Sequence, residues 1–114
     1  MQIDSTICSV SDFVKIQSPS EVSQYLLENP GLIFWVEKIC KETALEFRDY
    51  ARLFLEVYKD PEINFQYLTL LIRQQEYHDG FLEKIEGFRQ QYEDNLSNIN
   101  GTLLITTDFQ PIQG

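Results

Sequence analysis

The one histidine of the chain, His78, stands beside Asp79 and Gly80. An imidazole oriented by a carboxylate makes a general base, but it needs a nucleophile within hydrogen-bond reach. No serine or cysteine here sits in a recognisable nucleophile motif, and neighbours in sequence do not face each other on a helix. His78 therefore reads as a helix-start residue. Glu56, Asp60 and Glu62 surround Pro61 in a turn-rich stretch. Hard cations need several converging oxygens, usually from an Asp-x-Asp-x-Asp-Gly loop, and that loop is missing. Asp-Pro is ordinary turn chemistry, and carboxylate pairs of glycosidase type arise by chance in any acidic chain. The five glycines (Gly31, Gly80, Gly87, Gly101, Gly114) form no Gly-x-Gly phosphate loop. Cys8 and Cys40 have no metal-binding spacing. Cys40 lies in an apolar helical pattern, as a buried reduced thiol would; a Cys8–Cys40 bridge would require an oxidising compartment. The sequence thus predicts no catalytic residue, no cofactor and no metal.

Charge sharpens the exclusions. Eighteen acids against nine bases give a formal net charge of −9, which argues against nucleic acid as the main partner. Arg48, Arg52 and Arg73 could form a small basic patch at one sheet edge, but pairing with the surplus acids is the expected outcome. No apolar run reaches the roughly 18 residues of a membrane span, so no membrane is expected either. The start, Met1-Gln2-Ile3-Asp4-Ser5-Thr6, lacks the basic stretch and apolar block of a secretory signal, so the expected location is cytoplasmic. With 114 residues, 43% hydrophobic and 13% aromatic, the chain has material for the core of one domain despite its charge.

The elements that would position these residues follow from periodicity. Residues 1–17 show no clear period; 8–14 suit a short strand or an arm laid on the domain. Ser18, Pro19 and Glu21 fit the start of a helix with a capping box. Val22, Tyr25 and Leu26 continue it until Asn29-Pro30-Gly31. A second helix is predicted over about 32–47, with Leu32, Val36, Ile39, Cys40, Thr43 and Phe47 on one face. Glu37–Lys41 and Lys38–Glu42 fall on its solvated side. The period then changes from 3.6 to 2 over 53–58 and again over 66–73, which predicts a β-hairpin. The simplest register opposes Tyr58 to Tyr67, Glu56 to Thr69 and Phe54 to Leu71. It turns Leu53, Leu55, Val57, Leu68, Leu70 and Ile72 to the core. A long helix over about 79–96 and a last strand over 102–109 complete the pattern.

The expected fold is α+β: N-terminal helices, then ββαβ. The three-stranded sheet would have order 2-1-3 and helices on one face, with the second and third strands parallel across the helical crossover. One domain spans 18–109, with 1–17 as an N-terminal arm and 110–114 as a frayed tail. The outer sheet face would carry Phe54, Tyr58, Tyr67, Leu71 and Leu104, an apolar area of the kind that marks an interface.

The run Tyr25-Leu26-Leu27-Glu28-Asn29-Pro30, the hairpin Leu53-Phe54-Leu55-Glu56-Val57-Tyr58-Lys59-Asp60-Pro61-Glu62 and the later helix around Phe88 together resemble a family of short, uncharacterised bacterial α+β proteins. The resemblance covers about residues 20–108. Its members are often aromatic, frequently with tryptophan, just after the position of Phe88, where this chain has Tyr92. It implies no activity and no site residues; an antitoxin-like or accessory role is what proteins of this class suggest. The leading expectation is a non-enzymatic protein that binds itself as a symmetric homodimer, or binds a basic protein partner, through the outer sheet face. The alternative is a small enzyme or ligand-binding domain with a pocket between sheet and helices, using Glu56, Asp60, Glu62 or His78.

Overall fold

Alternating side chains dictate the hairpin. Strands β2 (Arg52–Asp60) and β3 (Phe65–Arg73) are antiparallel, with Leu53 opposite Ile72, Leu55 opposite Leu70 and Val57 opposite Leu68. The register is the expected one; β2 extends past both of its predicted ends, and β3 starts one residue early and ends where expected. The hairpin is seen in a computed structural model that describes residues 2–47, 51–62, 65–74, 77 and 79–107. The expected strand over 102–109 is β4 (Leu103–Thr106) among the described residues.

The sheet order differs from expectation. It is four-stranded and mixed, β1-β2-β3-β4. As predicted, the second hairpin strand and the last strand are parallel, but they are direct neighbours, with Leu68 opposite Leu103 and Leu70 opposite Ile105. The 2-1-3 order fails because the far edge of β2 is already occupied. A two-residue strand β1 (Lys15–Ile16) lies parallel on it, Lys15 beside Phe54 and Ile16 beside Leu55. An antiparallel hairpin is thus flanked on both edges by parallel strands.

Helix α1 (Gln2–Ser11) precedes β1, where the sequence pattern left the chain unassigned. Val10 and the following Val14 enter the main core, so this segment is integral to the domain. Helix α2 (Pro19–Glu28) begins with Pro19, as expected. The capping box does not form: Ser18 adopts a left-handed conformation (φ 48°) and makes no side-chain cap. Glu21 instead reaches Lys59 of β2 at 2.5 Å. That ammonium, first through its hydrogen bond, holds the exposed Glu21 carboxyl below its ordinary range.

Helix α3 (Leu32–Phe47) has the predicted bounds, and the six residues of its predicted apolar face are buried. Thr43 satisfies its hydroxyl by donating to the Ile39 carbonyl at 2.6 Å. The Lys38–Glu42 and Lys41–Glu37 pairs stand at 3.5 and 3.6 Å on the exposed side. Cys40 is a free thiol that burial pushes up to about 12, which removes it from thiolate chemistry.

The expected single helix over 79–96 is two: α4 (Phe81–Gln90) and α5 (Glu93–Ser97). The break falls where the amides of Gln91 and Tyr92 donate to Phe88 and Arg89, three residues back, tightening the turn. There Tyr92 packs on Phe88 (ring centroids 5.4 Å apart) and its hydroxyl donates to Glu42 of α3. Burial, followed by that carboxylate, raises the Tyr92 phenol above its ordinary range.

Helices and inner sheet face share one hydrophobic core. Phe88 is buried edge-to-face on Phe47 (5.9 Å), coupling α4 to α3. Phe88→Ala should lower unfolding free energy by about 3–5 kcal/mol in urea titration; a loss below about 1 kcal/mol would show that Phe88 lies outside the core. Gly101, at φ +90°, enters β4 so close to the α2–α3 connection that an added Cβ would lie 2.8 Å from Leu32 Cδ1 and 2.9 Å from Asn29 Cβ. Gly80 has φ +89° with nothing within 4 Å. Gly101→Ala should therefore destabilise by about 2 kcal/mol or more and Gly80→Ala by about 1 kcal/mol, since both share backbone strain and only one adds a clash. Equal losses in thermal melts would remove the clash.

Candidate protein-interaction surface

The register that sends leucines inward sends a second set outward. From β2 these are Phe54, Glu56, Tyr58 and Asp60, and from β3 Phe65, Tyr67, Thr69 and Leu71. Leu104 of β4 lies opposite Thr69 and Thr106 opposite Leu71, on the same face. All five residues predicted for the outer face are thus brought onto it, but their burial divides them. Phe54 and Leu71 are only 7% and 6% exposed, and Leu104 is half-buried. The Arg73 guanidinium sits 4.5 Å from the centre of the Phe54 ring and covers that end.

The opposite end, toward the hairpin loop, is open. Tyr58 is 45% exposed and Phe65 47%. Tyr67 lies between them, its ring 5.1 Å from Tyr58 and 5.8 Å from Phe65. Desolvation, then Tyr58 and Asp60, raise the Tyr67 phenol above its ordinary range. Phe65 belongs to this cluster and was missed as a site residue, because the predicted strand began one residue after it. Carrying the alternation Leu71, Thr69, Tyr67 one step further back would have found it.

Acids border the aromatic rings. Asp60 follows Tyr58 on the same face, and its Oδ1 accepts from the Glu62 amide at 2.9 Å, which shapes the start of the loop. Glu56 lies on the other side of Tyr58, half-buried and opposite Thr69. These carboxylates rim an apolar surface. Among the described residues, no group of three or more His, Cys, Asp or Glu side chains could hold a metal ion. Arg52 and Arg73 do come together, directly opposite in the hairpin. Arg48, His78 and Asp108 lie outside the described residues, so the predicted patch of three arginines and the His78–Asp79 pair are not defined here.

Thr69 is only 6% exposed, and its Oγ1 is buried without a hydrogen-bond partner. An orphaned buried hydroxyl is unfavourable, so Thr69→Val, which keeps the shape, should raise stability by about 1 kcal/mol. A fall of similar size in chemical denaturation would mean that the hydroxyl is satisfied in solution.

No helix among the described residues is long and apolar enough to cross a membrane. Compared with protein-family models, curated proteins and solved structures, the chain matches none of them.

Proposed function

We propose that this chain is a small acidic interaction protein, with no catalytic role, that docks a basic protein partner at the loop end of its outer sheet face. The observation that carries this reading is the cluster of exposed Tyr58 and Phe65 with half-buried Tyr67, bordered by Glu56 and Asp60. Aromatic residues supply the apolar centre of protein interfaces and charged residues their rim. The charge favours a basic partner over a second copy. Two chains of net charge −9 repel as they approach, whereas a basic surface is steered in. A homodimer, which symmetry statistics alone would favour, is therefore the weaker form of the reading. The free Cys8 and Cys40 suit a reducing compartment such as the cytoplasm. An antitoxin-like or accessory role in a bacterial cell is the setting that the family resemblance implies.

Affinity capture from the host with the tagged protein tests this. The expected result is a basic protein whose capture falls steeply with salt and is lost with Tyr58→Ser, while circular dichroism stays unchanged. Capture that ignores both salt and Tyr58→Ser would overturn the reading. So would light scattering that finds a stable dimer dissociated by Tyr67→Glu, because the surface would then be occupied by the chain itself.

A further inference from the structure

Strand β2 has an edge that β1 covers only in part. In an antiparallel pair, the backbone groups of alternate residues face opposite edges. The Gln17 amide donates to the Leu55 carbonyl at 2.8 Å, so the backbone groups of Leu53, Leu55, Val57 and Lys59 face away from β3. Pairing with β1 involves Phe54 and Leu55 and stops there. It stops because Ser18, the one non-glycine residue with positive φ among the described residues, turns the chain off the edge and into α2. Among the described residues, nothing pairs with the edge-facing backbone groups of Val57 and Lys59. The stretch from Glu56 to Asp60, which no described strand pairs on this side, spans about 13 Å. It carries Tyr58 in its middle, beside the exposed aromatic cluster.

We infer that the partner binds by strand addition: an extended basic segment extends the sheet along the β2 edge at Val57 and Lys59. This rests on the docking reading above and specifies its mode. Backbone hydrogen bonds at an exposed edge supply the attachment, and alternate side chains supply the selection. The side chains of the added strand that point to the outer face meet Glu56, Tyr58 and Asp60 in turn. Two carboxylates with an aromatic face between them select lysine or arginine at every second position, by ion pairing and cation–π contact. Side chains on the other face meet Val57 and the Lys59–Glu21 pair, which suits valine or another small apolar residue between the cations. A second copy fits poorly. Two β2 edges paired antiparallel about Tyr58 would set Glu56 against Asp60 of the other chain at both ends, and like charges directly opposite are unfavourable.

The test uses the full chain and a capped heptapeptide of alternating arginine and valine, with a glutamate–valine peptide as control. Strand addition predicts that the arginine peptide binds and the glutamate peptide does not. It also predicts that amide hydrogen exchange at Val57 and Lys59 slows at least tenfold in the complex. Lys59→Pro removes one edge-facing amide without touching the β2–β3 ladder and should weaken binding tenfold or more. Lys59→Ala, which removes only the side chain, should leave it within about threefold. If Lys59→Pro fails to fold, the exchange measurement on the unmodified protein decides alone. Binding with unchanged exchange at Val57 and Lys59 would overturn strand addition while leaving the docking reading intact. Absence of binding at about 1 mM arginine peptide would overturn it too, and the capture experiment with Tyr58→Ser then judges docking separately. A dimer in light scattering that Lys59→Pro dissociates would also overturn it, by making the second copy the occupant.

Discussion

The register of the β2–β3 hairpin is the constraint on which the remaining structure depends. Pairing Leu55 with Leu70 and Tyr58 with Tyr67 sorts two strands' worth of side chains in one step. Leu53, Leu55, Val57, Leu68, Leu70 and Ile72 face the helices, while the aromatic, acidic and threonine residues face outward together with Leu71. A slip of one residue would exchange the two sets and send Glu56 and Asp60 into the core, so the burial of a charge enforces the pairing. Every later element is fitted to the inner set. Phe47 and Phe88 close over it edge-to-face from two different helices, and Gly101 lets β4 approach the α2–α3 connection closely enough to extend it.

The edges follow a different logic. Both flanking strands are parallel to their neighbours, so each is reached through helical connections. Thr102, just before β4, ties that strand to α2 and to β3: its amide donates to the Tyr25 hydroxyl of α2 at 2.9 Å, and its carbonyl accepts from the Leu68 amide of β3 at 2.9 Å. At the β2 edge the left-handed Ser18 ends the pairing after two residues. A non-glycine residue in that conformation is strained by about 1–2 kcal/mol, and here the strain coincides with the point where backbone groups become available.

How much of this could be read from the sequence depends on how far each signal reaches. The hairpin register and α3 were legible because their periods are clean: Leu53, Leu55 and Val57 at two, and Leu32, Val36, Ile39, Thr43 and Phe47 at three and four. Helix α1 was not, although Ile3, Ile7, Val10 and Val14 fall at helical spacing. Its serines, threonine and β-branched residues are weak helix formers, so packing against α2 and α3 decides its state. The sheet order was illegible for a related reason. Lys15–Ile16 is too short to announce itself as a strand, yet it occupies the edge that the sequence argument assigned to β4. The break at Gln91 and Tyr92 coincides with the Tyr92 hydroxyl reaching Glu42, fifty residues earlier in the chain. At the candidate surface, the outward direction of Phe54, Tyr58, Tyr67, Leu71 and Leu104 was legible, but the burial of Phe54 and Leu71 was not. That burial turns on neighbours such as Arg73, which alternation alone does not weigh.

An open strand edge beside exposed aromatic rings is a hazard for any protein, because identical copies carry the same template and can pair with one another. Charge bears on this hazard and on partner choice together. Glu56 and Asp60 flank the very residues whose backbone is available, within a chain that carries twice as many acids as bases. Self-pairing sets these carboxylates against each other, and the long-range repulsion between two copies opposes even the encounter. On the proposed docking, a basic segment would meet neither barrier and would neutralise both carboxylates. Solubility and selectivity then have one physical origin. On this proposal, removing the acids would weaken attraction to a basic partner and at the same time lower the barrier to pairing of the chain with itself.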